Sequence, residues 1–365
     1  MLRVEEVPEI ARRAGERERA DAERYPTETI RELHECGLIA AGFSPANGGS
    51  GWTCLDAVRA VETLAAESPS AALIVAMPVG FAGITEAVGY LAPEAYRAEW
   101  PEQLASIAED FHAGTHYAAA NSEAGAGGSF DATKTIATRT ADGWRLSGAK
   151  ILASGGANAD VFFSIAKVTQ DDLPGAGVVE GFLVSTRAPG VTIATDWDGF
   201  GMRSTESHSV RYQDVNAVRM WGFPNFFVVA QPLSYWFCLF AAIPLGCAAG
   251  LLAVMSTPAP ASPAVRLRLA EARMKYEALS AYLHETAAAW RPAAGPEYAG
   301  RVLRTKTYVS QEATKLCAEL FALGGGRHYR RNDIAARLLA DSFAGTALRP
   351  PLALALDGLL AQFED

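Results

Sequence analysis

Few residues in this chain stand at spacings that could do acid–base or metal chemistry. Glu206 and His208 are two apart, which on a strand puts both on one face. Such a pair is either an acid–base couple or a solvated hairpin pair of the kind common on protein surfaces. His112 and His116 have the i, i+4 spacing of a helix face, close to Glu109 and Asp110. The His-Glu-x-x-His context and a third ligand are missing, so no metal centre is expected there. Glu123 is a further carboxylate, within the run ANSEAGAGGS (120–129). The five cysteines, Cys36, Cys54, Cys238, Cys247 and Cys317, are scattered and form no Cys-x-x-Cys pair. They read as reduced core thiols of a cytoplasmic protein.

The composition narrows the setting for this chemistry. With 365 residues, 50% hydrophobic and 20% charged, the chain can build a large core and more than one structural unit. It carries 41 acidic against 32 basic residues, a net charge of −9, and no Lys/Arg stripe of the kind that binds nucleic acid. The first 26 residues are charged throughout and have no apolar core, so a signal peptide is not expected. Between Arg219 and Arg266 no charged residue occurs, and SYWFCLFAAIPLGCAAGLLAVM (234–255) is long enough to cross a bilayer. Pro244 and the small residues Ala241, Ala242, Gly246, Ala248, Ala249 and Gly250 instead suit close packing between protein helices, and no basic cluster marks a cytoplasmic flank. The segment is expected to be a buried bundle helix, not a membrane span. Its appetite for apolar partners points to a homodimer or homotetramer.

Periodicity supplies the elements that would position these residues. Helical spacing runs through most of 1–116, with a turn-rich loop at SPANGGSG (44–51). From residue 117 to 218 short alternating strands take over, beginning with a hairpin around Ala141-Asp142-Gly143. Residues 219–365 return to helix, broken at STPAPASP (256–263) and at RPAAGPEYAG (291–300). The expected architecture is α+β: an N-terminal helical domain, a central antiparallel β-barrel-like domain and a C-terminal helical bundle.

Five patterns in this order resemble the acyl-CoA dehydrogenase superfamily of flavoproteins, over nearly the whole chain. They are YPTETIRELHECGLIAAGFSPANGGSG (25–51), ANSEAGAGGS (120–129), LSGAKILASGG (146–156), WDGFGMRSTESHSVRYQDV (197–215) and ALGGGRHYRRNDIAARLLAD (322–341). The resemblance implies FAD as cofactor, with FMN as the lesser alternative. By it, Ser122 takes the place of a flavin-contacting Thr, Leu152 that of a Trp packed on the ring, and Ser154 that of a second Thr. Hydroxyls at 122 and 154 can hydrogen-bond the flavin. Asn121, Gly127, Gly128 and Ala153 belong to the same motifs, and Gly125, Gly127 and Gly128 let backbone approach a ligand. Gly325 and Gly326 resemble a stretch that reaches the FAD of a neighbouring subunit, or they simply cap a helix.

The chain departs from the family at the catalytic base. Relatives abstract an α-proton with a Glu in one of two places. Here the first place holds Ala344 or Arg349 and the second Trp236 or Phe237, so the catalytic residue is unassigned. An Arg-x-Gln-Phe-Gly motif for FAD pyrophosphate is also absent after Met255, with Arg266 and Arg268 as possible substitutes, and the family's Arg-Asp pair is Ala340-Asp341. The resemblance implies an FAD-dependent oxidoreductase acting on an acyl thioester, of CoA or a carrier protein, or a similar organic molecule by α,β-dehydrogenation. The alternatives are a monooxygenase using reduced flavin and O2, in which that base is dispensable, and a non-catalytic homologue. An electron-transfer partner or a flavin reductase would accompany either enzyme.

Overall fold

A computed structural model of the chain describes residues 6–169 and 177–364; the first five residues of the charged N-terminus lie outside it. Six helices come first: α1 (Val7–Ala20), α2 (Thr27–Glu35), α3 (Cys54–Ala65), α4 (Pro69–Ala87), α5 (Glu94–Arg97) and α6 (Trp100–His112). Helix α3 opens on a full capping box, Thr53 bonding the Asp56 amide while the Asp56 carboxylate receives the Thr53 N–H. Helix α2 ends at Gly37, whose φ of 87° no side-chain-bearing residue adopts cheaply.

Eight strands follow among the described residues: β1 (Tyr117–Ala120), β2 (Ile136–Thr140), β3 (Gly143–Ala153), β4 (Val161–Val168), β5 (Val179–Ser185), β6 (Val191–Ile193), β7 (His208–Asn216) and β8 (Arg219–Trp221). They form one sheet, seven of them in the order β6-β7-β3-β2-β4-β5-β8 and β1 joined to it at β4. The β2–β3 hairpin closes with Thr140 opposite Gly143, as the Ala141-Asp142-Gly143 signal implied. The sheet is largely antiparallel, with two parallel pairings that the alternation did not reveal. Strands β1 and β2 both run parallel to β4 and share its edge, β1 along Val161–Ser164 and β2 along Lys167 and Val168. The chain between them, 121–135, must therefore leave the sheet and return to it, and this excursion carries the glycine-rich run.

The chain then returns to helix: α7 (Phe226–Ala230), α8 (Leu233–Ser256), α9 (Pro263–Ala288), α10 (Pro296–Leu323), α11 (Ile334–Ser342), α12 (Ala344–Ala347) and α13 (Leu352–Glu364). Helix α10 starts inside the stretch expected as a loop, because Pro296 occupies a first-turn position where a missing N–H costs nothing. The charge-free segment forms α8, buried along nearly its whole length and packed against α3, α4, α9, α10 and α11. Gly250 lies directly against the Ala66 carbonyl and Gly246 against that of Glu62, so the small residues serve close helix packing as expected.

An aromatic cluster ties the three parts together. The Phe81 ring on α4 stacks on Trp221 at 4.4 Å and meets Phe163 of β4 at 5.1 Å, while Phe163 stacks on Trp236 of α8 at 5.5 Å. Helix, sheet and bundle thus share one core, and a cavity opens beside it.

Candidate active site

The cavity, about 360 Å³, lies where β1, β3, β4 and the 197–207 segment face α4, α8, α11 and α12. Its size is typical of small-molecule sites. Asn121, Ser122, Leu152 and Ser154 line it, and so do Trp236, Phe237, Ala344 and Arg349. The structure therefore brings four of the expected cofactor positions and all four positions considered for a base to one space. Ala153 is buried in the sheet beside it. Gly127 and Gly128 hold positive φ on the neighbouring loop, Gly128 tight against Pro351, and neither lines the cavity. Gly325 and Gly326 follow the end of α10, away from this lining; Gly325 has the positive φ of a residue just beyond a helix.

Each wall has a local cause. The 121–135 excursion is latched by Glu123, which is not a free base. Its carboxylate accepts the Lys134 N–H (2.6 Å), the Thr135 N–H (3.1 Å), the Thr135 hydroxyl (2.7 Å) and the buried Lys150 ammonium (2.6 Å). Burial pushes the Glu123 carboxyl up, but Lys150 and these hydrogen bonds outweigh it and hold it below the ordinary value. Asn121 completes the latch by accepting the Ile165 N–H at 3.0 Å.

Leu152 sits at a register shift between β3 and β7, with φ 58°, and is 53% exposed. A bulge re-aims a side chain out of its sheet, and the left-handed conformation costs a leucine roughly 1–2 kcal/mol. A strained, exposed apolar side chain facing a cavity is placed to meet a ligand. Ser122 is next to it through a bridge to Ile151.

Ser154 heads a chain of hydroxyls that sequence inspection missed. Its Oγ lies 2.9 Å from Ser207 Oγ, and Ser207 lies 2.6 Å from Thr205 Oγ1, which donates to the Met202 carbonyl at 2.8 Å. A hydroxyl has one proton. Thr205 spends its proton on Met202, so Ser207 donates to Thr205 and Ser154 donates to Ser207. Ser154 is left with lone pairs to offer the cavity, and is poised to accept an N–H. The Met202 turn is itself anchored by Asp341, which takes the Met202 N–H at 2.6 Å and whose carboxyl burial raises to about 7. This gives the altered Ala340-Asp341 pair a structural task.

The remaining candidates for a base lie elsewhere. Strand β7 begins at His208, whereas Glu206 sits before it in a left-handed turn (φ 45°), so the two do not share a strand face. Glu206 accepts from Asn158, and His208 Nδ1 accepts the Asp196 and Trp197 N–H groups. Helix α6 stops at His112, so His116 is off that helix and the i, i+4 face does not form. His112 bonds the Asn47 carbonyl and Asp110 accepts the Tyr117 hydroxyl. No group of three metal-ligating side chains occurs among the described residues. Of the described residues lining the cavity, Arg349 alone is ionisable; Asn121, Ser122, Ser154, Ser164 and Ser207 add neutral polar groups, and most of the rest is apolar or aromatic, with Phe130, Trp197, Phe200, Phe227 and Phe343 among those that sequence inspection did not single out.

Residues 118–215 match the acyl-CoA dehydrogenase middle domain, and residues 5–108 its N-terminal domain. The chain belongs to the acyl-CoA dehydrogenase superfamily of flavoproteins. It is 23% identical over 332 residues to the probable acyl-CoA dehydrogenase YngJ of Bacillus subtilis (strain 168), covering 87% of this chain and 84% of that protein. It is 38% identical over 113 residues to the dibenzothiophene monooxygenase of Rhodococcus qingshengii, covering 30% of this chain and 27% of that protein. Among solved structures, FMN-bound TdsC from Paenibacillus sp. A11-2 superimposes with a TM-score of 0.81 at 22% identity, over 99% of this chain and 96% of that one. The three-part fold expected from the motifs is the superfamily's fold, while the reaction differs among these relatives.

Proposed function

We propose that the protein is a flavin-dependent monooxygenase that oxygenates a planar aromatic molecule with reduced flavin and O2. One observation carries this: the cavity offers no carboxylate among the described residues. The positions where relatives keep the base bear Ala344, Arg349, Trp236 and Phe237. Trp236 is fixed in the aromatic core with its Nε1 donating to the Met77 carbonyl at 3.2 Å. The dehydrogenation of an acyl thioester implied by the superfamily needs a group to take the α-proton, and nothing on these walls accepts one. The monooxygenase relative supports the oxygenase reading; the Bacillus relative supports the dehydrogenase.

The lining fits a flavin ring. Leu152 presents an exposed apolar surface, Ser122 a hydroxyl, and Ser154 an acceptor, so a flat ring with a polar edge finds both kinds of contact. Ser122, Leu152 and Ser154, with Asn121 nearby, would hold it. These contacts serve the ring common to FAD and FMN; FAD remains the first candidate and FMN the second. Arg266 is engaged by the carbonyls of Pro260 and Ala261, and Arg268 by Glu271, so neither is a free substitute for the absent pyrophosphate motif within this chain. When bound, a reduced flavin supplies two electrons with which O2 is divided between the substrate and water.

The chain's own contribution is positioning and dryness. Phe163, Trp221 and Trp236 close the inner end of the cavity, while Phe200 and Phe343, ring centroids 6.1 Å apart, stand towards solvent. Ser154 would accept a hydrogen bond from an N–H of the bound ring, and the aromatic walls keep water from the reacting atoms. A separate flavin reductase is the implied partner, the organic substrate the other, and five buried free thiols suit the reducing cytoplasm. The test is oxygen transfer from 18O2 to a panel of aromatic heterocycles by protein supplied with chemically reduced flavin. Incorporation above a protein-free control is expected, and none across the panel would overturn the proposal.

A further inference from the structure

Two cations flank one end of the cavity, and among the described residues no carboxylate is hydrogen-bonded to either. Arg349 is largely buried, its guanidinium lies over the Phe130 ring at 4.8 Å, and its Nη2 makes a long contact of 3.4 Å with the Asn121 carbonyl. Its Nη1 is buried and has no partner among the described residues. Behind it stands Lys306 of α10, 2% exposed, which donates to the carbonyls on either side of Arg349: Leu348 at 2.8 Å and Pro350 at 2.6 Å. Lys306 thereby fixes the backbone from which Arg349 reaches into the cavity. Burial alone brings the Lys306 ammonium down to about 7.

A buried guanidinium with an unsatisfied N–H is costly, and proteins keep such groups where a ligand completes them. Arginine stays protonated even when desolvated, so the missing partner is an anionic oxygen group and not a proton. The aromatic walls admit a flat apolar body beside it. We propose that Arg349 is a specificity-determining residue that anchors the anionic group of a planar aromatic acid, such as a carboxylate or sulfonate, in this cavity. The inference shares the cavity with the proposed oxygenase and names its substrate class. Lys306 acts through Arg349, as a positioning residue.

The same chemistry could come from the phosphate of a flavin, so the experiment separates the two sources. Flavin-free full-length protein is titrated with 2-naphthoate and with its neutral amide, read by calorimetry and by quenching of Trp197, Trp221 and Trp236, which line the cavity. The wild type should prefer the acid by roughly tenfold or more, the scale of one hydrogen bond to a charged group. Arg349→Met and Arg349→Gln should bind acid and amide about equally, while FMN and FAD affinities stay within about threefold. The variants should melt no lower than wild type, since an unpaired buried charge is removed; one that does not fold is set aside for the other. Equal binding of acid and amide by wild type, no binding of the acid, or a preference that survives in the variants would overturn the inference. So would a larger loss of flavin affinity than of acid preference, which would assign the cation to the cofactor. Wild type that takes the acid through Arg349 but never binds flavin would keep this inference and remove the oxygenase.

Discussion

Replacing Ser207 with alanine should shift a bound flavin towards its oxidised form. The wild-type hydroxyl chain is directional: Thr205 donates to Met202, Ser207 to Thr205 and Ser154 to Ser207. Ser154 therefore accepts, and a reduced flavin carries an N–H that the oxidised ring lacks. One neutral hydrogen bond contributes about 1 kcal/mol, favouring the reduced state. Ser207→Ala removes the acceptor for the Ser154 proton. The freed hydroxyl can then rotate and donate to the oxidised ring, an opposite term of similar size. The two terms cancel in the variant, so it loses the wild-type preference of about 1 kcal/mol, roughly 20 mV for a two-electron couple. Spectroelectrochemical titration of flavin-loaded wild type and variant reads this directly, and Ser154→Ala, which removes both bonds, should match Ser207→Ala. An unchanged potential in Ser207→Ala, with flavin still bound, would refute the directional chain; a rise would reverse it.

Other consequences can be checked separately. Glu123→Ala should destabilise the protein by about 3–5 kcal/mol in urea, because it strands the buried Lys150 ammonium and three further donors. Lys150→Met should cost less, about 1–3 kcal/mol, since Glu123 keeps its Lys134 and Thr135 donors. His116 is almost fully buried, and burial, with His34 beside it, lowers it to about 4. Its folded value lies below the unfolded one, so the unfolded chain binds the proton first and stability falls as pH drops from about 6.5 towards about 4. That contribution, about 3 kcal/mol, should vanish from the urea midpoint profile of His116→Leu. Leu267 and Met274, seven residues apart on α9, are 61% and 63% exposed. We expect light scattering to report a dimer or tetramer; a wild-type monomer would remove this expectation.

The helix–strand–helix order was legible because each part keeps one hydrophobic period. The β2–β3 hairpin was legible because its turn residues are local. The parallel pairing of β1 and β2 with β4 was not, since a four-residue strand reading Tyr-Ala-Ala-Ala carries no record of its distant partner. At the site, Ser122, Leu152 and Ser154 could be located from their motifs. The positions of Trp236, Phe237, Ala344 and Arg349 could be located in the same way. Glu206 and His208 misled because period-two reasoning holds only within a strand, and the left-handed turn at Glu206 ends before β7 begins. The Ser154–Ser207–Thr205 chain and the Lys306 grip on the carbonyls beside Arg349 depend on side chains meeting across the fold, which spacing along the sequence does not record.

The most direct test of a cavity without a proton acceptor is anaerobic. Protein loaded with oxidised flavin is mixed with saturated acyl-CoA thioesters of increasing chain length while the flavin absorbance is followed. We predict that the oxidised spectrum persists throughout, whereas dithionite reduces the same sample and air restores it. Bleaching by any of these thioesters would contradict the absence of a base and return the protein to dehydrogenase chemistry.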